Sequence, residues 1–203
     1  MNREHLIPGI VAIILAVLFP LYWFSGFVTV GMTSLLDAYI ADVTSFTPMD
    51  GLFILIGLME VYLYLSLRKN LQQQLQGGFA ASLALLMAIA VGVFTALVLF
   101  DVSFAISAGL DGSVGCTALT LAAVVSIGLS IVVGLVGLTL SIALLMARDA
   151  DTVLLKIFAV FLLICSLLTI TVFLAPLVPV LYPVALIVLA IYFLRGGGDV
   201  EVV

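Results

Sequence analysis

Gly51-Leu-Phe-Ile-Leu-Ile-Gly-Leu-Met-Glu60-Val-Tyr-Leu-Tyr-Leu-Ser-Leu67 is apolar apart from one central carboxylate, and it runs straight into Arg68-Lys69. A stretch of this length and hydropathy is long enough to cross the hydrocarbon layer as a helix. The basic pair marks the cytoplasmic edge of that helix. Glu60 lies eight residues before Arg68 and nine after Gly51, near mid-membrane. An ionisable group at that depth is costly and is a candidate functional group by default. Tyr64, one turn on, is its candidate hydrogen-bond donor within the helix.

The whole chain fits this solvent. Of its 203 residues 66% are hydrophobic and only 8% charged, against roughly 25% charged in a soluble domain. A water-soluble fold is excluded. Six Lys and Arg residues, spread along the chain, cannot make the basic stripe that nucleic-acid binding needs. Two cysteines and one histidine exclude a disulfide framework, a bis-histidine haem and a Cys-rich metal site, so no cofactor or metal is expected.

Working outward, residues 6–30 read as span 1. The polar lead with Arg3 could begin a signal peptide, but the apolar run is longer than a signal's 7–15-residue core. Pro20 removes a hydrogen bond and predicts a kink. Tyr22-Trp23-Phe24 reads as an interfacial aromatic belt. Between spans 1 and 2, Leu35, Leu36, Tyr39, Ile40 and Val43 share a helical face with Asp37 and Asp42 opposite, which predicts a short amphipathic interfacial helix. Thr47, Pro48 and Asp50 supply an N-cap, an N1 proline and an N3 acid for span 2, residues 48–70. Its helix should run on through Leu71 and Leu75 until Gly77-Gly78 stops it.

Span 3 (79–101) and span 4 (117–147) carry small residues at helical spacing: Ala84, Ala88, Gly92 and Ala96 in one, Ala122, Ser126, Ser130 and Gly134 in the other. Lipid supplies no hydrophobic drive for helix pairing, so such rows let backbones approach closely. The 101–116 connection holds Asp101 and Asp111 and no basic residue. Span 4, at roughly 46 Å, exceeds a ~30 Å layer and should tilt or protrude. Spans 5 (152–174) and 6 (178–195) form a hairpin around Pro176, Pro179 and Pro183. With six spans and both termini cytoplasmic, Arg3, Arg68, Lys69, Arg148, Lys156 and Arg195 all fall on one side. The expected fold is therefore an all-α, six-helix bundle in the cytoplasmic (inner) membrane, forming one transmembrane domain. The two halves of the chain share no motif, so an inverted repeat gains no support.

The chemistry offered is sparse. The aspartates of the other side (Asp37, Asp42, Asp50, Asp101, Asp111) match no calcium-loop spacing. Asp149 and Asp151 beside Thr152 read as helix capping. No nucleophile set or phosphate loop is present, and His5 lies in the wrong place for an intramembrane protease, so no enzyme is expected. These features predict an accessory subunit of a larger membrane assembly, its partners being the bilayer and other membrane subunits or a second copy. The alternative is a small channel or secondary transporter for a proton, cation or small solute, with Glu60 as its binding or coupling group. A water-reachable cavity ending at Glu60 would favour the second.

Overall fold

The computed structural model describes residues 3–30, 47–74, 78–111, 116–147, 153–171 and 174–196. Among them every regular element is helical: α1 (Arg3–Val30), α2 (Pro48–Gln74), α3 (Phe79–Thr95), α4 (Val98–Asp111), α5 (Cys116–Met146), α6 (Val153–Ile170) and α7 (Val178–Leu194), the last entered through a 3-10 turn at Ala175–Leu177. Six stretches are long and apolar enough to cross a membrane, α3 and the start of α4 counting as one. The chain is thus a multi-pass helical membrane protein. The segments proposed for the interfacial helix (31–46) and for the Arg148–Thr152 turn lie outside the described residues.

Capping sets the start of α2. The Asp50 carboxylate accepts the Thr47 N–H at 2.6 Å and the Thr47 hydroxyl at 3.1 Å, while the Asp50 N–H bonds back to the Thr47 carbonyl. This satisfies groups that a bare helix end would leave open. At its other end α2 continues past Arg68-Lys69, with Leu67 and Leu71 fully buried. Helix α1 carries Pro8 and Pro20 without interruption.

Span 3 crosses over Phe79–Phe104, close to its expected bounds, but a tight turn at Ala96-Leu97 divides it and helix resumes to Asp111. The Thr95 hydroxyl bonds back to the Val91 carbonyl at 2.8 Å, and Leu97, Leu99 and Phe100 all donate to carbonyls three residues back. Back-bonding threonines bend helices, and such bonds tighten a turn.

The six spans stand in a ring that follows chain order. Helix α1 packs on α2, α2 on α3, α3 on α5, α5 on α6, α6 on α7, and α7 returns to α1. Ring contacts fix an antiparallel register between α1 and α2, with Tyr22 on Phe53 and Ser25 by Met49. In the same sense α2 meets α3 through Phe53 on Phe94, and α1 meets α7 through Phe19 on Tyr182. Small residues set the closeness of two of these seams. A methyl at Gly57 of α2 would overlap the Thr95 side chain of α3, and one at Gly134 of α5 would come within 3.2 Å of the Ser166 carbonyl oxygen of α6.

Alternating direction gathers Arg68, Lys69, Lys156 and Arg195 at one end, called the basic end below. The interior is densely filled there: Leu67, Leu71, Leu140, Leu144, Leu155, Phe158, Tyr192 and Phe193 are all essentially inaccessible. The outer surface is apolar, with Ile10, Val17, Leu58, Leu65, Ile89 and Val93 exposed. That is the inverse of a soluble protein and suits lipid contact.

Candidate functional site

The other half of the ring is hollow. A cavity of about 320 Å³ begins at mid-span and extends toward the end opposite the basic residues, and all six spans contribute to it. Its walls differ in kind.

One wall is aromatic. Phe94 of α3 contacts Phe53 of α2 edge-on at 5.9 Å between centroids, and Phe53 meets Tyr22 of α1 at 5.6 Å. Tyr22 meets Trp23 at 5.7 Å, Trp23 meets Phe19 at 6.2 Å, and Phe19 meets Tyr182 of α7 at 4.9 Å. Centroid separations of this size are those of attractive ring pairs. The rings form one unbroken arc over four helices. Tyr22 and Trp23, which the sequence suggests for an interfacial belt, line the cavity, and Trp23, like Phe24 beside it, also keeps an exposed surface.

The facing wall, from α5 and α6, carries small and hydroxylated residues, Ser130, Gly134, Cys165, Ser166 and Thr169, together with Val133 and Leu162. Thr169 spends its hydroxyl on the Cys165 carbonyl at 2.9 Å within its own helix.

Glu60 stands at the inner limit of the cavity, and its partly accessible surface faces that space. Tyr64, on the same face of α2, is buried beside it. Its hydroxyl does not close a bond inside α2; it crosses the ring to within 3.3 Å of the Tyr182 hydroxyl. Tyr182, like Glu60, lines the cavity. Either hydroxyl of the tyrosine pair can donate to the other. This contact ties α2 to α7 across the ring. Intramembrane carboxylates are costly, and the polar groups that share the inner end of the cavity with Glu60 are the neutral hydroxyls of Tyr64 and Tyr182. No Lys, Arg or His is among the residues lining the cavity.

The small-residue rows divide. Ala84 and Ala88 are buried in the packed half. Gly92 faces Val61 of α2, and Ala96 is exposed at the helix break. On α5, Ala122 is buried and Ser126 bonds the Ala122 carbonyl at 2.8 Å. Ser130 and Gly134 line the cavity, and Gly134 also seats α6. Among the described residues no group of three or more His, Cys, Asp and Glu side chains could hold a metal ion.

Fold and site together define a class, a multi-pass helical membrane protein with a single-carboxylate cavity within its helix ring. A comparison of the chain with protein-family models, curated proteins and solved structures finds no match.

Proposed function

We propose that this chain is a small-solute carrier whose binding group is Glu60, and that it is not an enzyme. The observation that carries the reading is the cavity itself, which all six spans build and which ends at the one carboxylate the sequence places in mid-membrane. Its volume, about 320 Å³, is at the small end of ligand sites. Dense packing in the basic half offers no continuous pore, which supports a carrier over an open channel. With the basic end cytoplasmic by the positive-inside bias, the cavity faces the external side.

The test uses Cys165, which borders the cavity, in a Cys116→Ser background. A small membrane-impermeant thiol reagent should label it from the external side only. In liposomes, uptake of small solutes, organic cations included, should be present in wild type and absent in Glu60→Gln. Equal flux in the two would remove Glu60 from the mechanism.

A second reading, an accessory subunit that pairs with other membrane proteins or with itself, draws support from the periphery. Helix α4 packs extensively on no other described helix. The outer half of α5 leaves Leu121, Val124, Ile127 and Val132 exposed. Gentle-detergent purification with native mass spectrometry separates the readings: fixed-ratio partners favour a subunit, a lone or homo-oligomeric chain favours the carrier.

A further inference from the structure

We propose that the cavity is selective for a small organic cation with an apolar body, an alkylammonium or aryl-alkylammonium ion held between Glu60 and the aromatic arc. This rests on the carrier reading and deepens it by naming the class of solute.

Charge comes first. Glu60 is the only formally charged side chain among the residues lining the cavity, and Arg68, Lys69, Lys156 and Arg195 lie at the opposite, basic end of the ring. An anion brought to Glu60 would meet uncompensated repulsion in a low-dielectric space, where charges interact far more strongly than in water. A monocation cancels the charge. A metal ion or bare inorganic cation is disfavoured, because the lining offers it one carboxylate and a few hydroxyls where hard cations need about six oxygens.

The aromatic wall supplies what an organic cation needs. Phe19, Tyr22, Trp23, Phe53 and Phe94 line the space above Glu60 as a continuous set of rings. Ring faces attract ammonium groups within about 6 Å, and several rings around one cation form the usual cage for a quaternary ammonium. The same rings accept an alkyl or aryl body without cost in hydrogen bonds. The Tyr64–Tyr182 contact ties α2 to α7 one turn from Glu60, which fixes the helix that carries the carboxylate at the inner limit of the cavity.

Trp23 is the only tryptophan of the chain and borders the cavity, and Cys165 borders it from the facing wall. Both report on occupancy. Purified Cys116→Ser protein would be titrated with choline and tetraethylammonium, with 3,3-dimethylbutan-1-ol as the uncharged isostere of choline, and with 3,3-dimethylbutanoate as the anion. The expected result is that the cations change Trp23 fluorescence and slow alkylation of Cys165, the isostere doing so about tenfold more weakly or not at all. Glu60→Gln should abolish the preference for the cation, and Glu60→Asp should retain it. The wild-type comparison stands even if a variant fails to fold. If the isostere or the anion protects Cys165 as well as choline does, the cation assignment is wrong while the carrier reading stands. If Cys165 is unreactive and Trp23 is silent to every probe, both fail.

Discussion

Replacing Gly134 by alanine should loosen the seam between α5 and α6. The new Cβ would stand 2.8 Å from Ile170 Cγ1, 3.2 Å from the Ser166 carbonyl oxygen and 3.3 Å from the Ile170 nitrogen. Carbon atoms prefer a separation of about 3.5–4.0 Å, so the Ile170 contact is short by about 0.7–1.2 Å. Ile170 can leave its rotamer well, at about 0.5–1.5 kcal/mol. The two backbone atoms cannot rotate away, so α6 must also retreat by some tenths of an ångström. Overpacking of this kind costs about 1–3 kcal/mol. For a chain of this size each kcal/mol shifts the melting midpoint by about 2–4 °C, which gives a fall of about 2–12 °C. Gly128 of the same helix is the control, since a methyl there meets nothing within 4 Å. Thermal melts of both variants in mild detergent would check this. Equal midpoints for Gly134→Ala and Gly128→Ala would show that α6 does not sit against Gly134.

Tyr182→Phe should destabilise the protein by about 1–3 kcal/mol, because it leaves the buried Tyr64 hydroxyl without its partner. In a double-mutant cycle with Tyr64→Phe the two effects should fall well short of additive; full additivity in thermal melts would deny the contact. Asp50→Ala should cost about 1 kcal/mol through loss of the bonds that cap α2, seen as a lower midpoint with unchanged cation binding. Cation binding should weaken as pH falls, since protonation removes the charge of Glu60 and so competes with the ligand. Tyr64, Tyr182 and Cys165, the other ionisable groups facing it, are of types that ordinarily stay neutral over about pH 5–7. The limit is a tenfold loss of affinity per pH unit, and fluorescence titration showing pH-independent binding would exclude direct contact with the carboxylate.

Hydropathy and helix punctuation made the six spans legible, because lipid demands long apolar helices and Thr47, Pro48 and Asp50 mark a start. The break at Ala96-Leu97 was hidden, as nothing in an Ala- and Val-rich run distinguishes a tight turn from a straight helix. Glu60 stood out through the rarity of a carboxylate in such a run. The partner of Tyr64 did not: Tyr182 lies 118 residues beyond it, and only the closure of the ring brings the two together. The one local hint is a tyrosine between Pro179 and Pro183, deep enough in an apolar segment to need a partner for its hydroxyl. The aromatic wall was only half legible for a related reason. Tyr22 and Trp23 near a span end have the composition of an interfacial belt, and composition does not say whether a ring faces lipid or the inside of a ring of helices. The small-residue rows were similarly mixed: spacing placed Ala84 and Ala88 on one face, but Ser130 serves the cavity and Ala96 falls at a helix break.

Because spatial neighbours in the ring are neighbours in the chain, each span can meet its partner soon after it leaves the ribosome, and most contacts are local in sequence. One seam is different. The pairing of α1 with α7 joins the first helix made to the last, with the highest loop-closure cost in the molecule. Synthesis therefore runs nearly to completion with the ring open, α2 exposing Glu60 on an unfinished face. The cavity around the carboxylate closes only when α7 and Tyr182 arrive, so maturation of the binding site and completion of the chain are the same event. Chains truncated before α7 should present an intramembrane acid on an open face, the kind of feature by which membrane quality control tells unfinished proteins from finished ones.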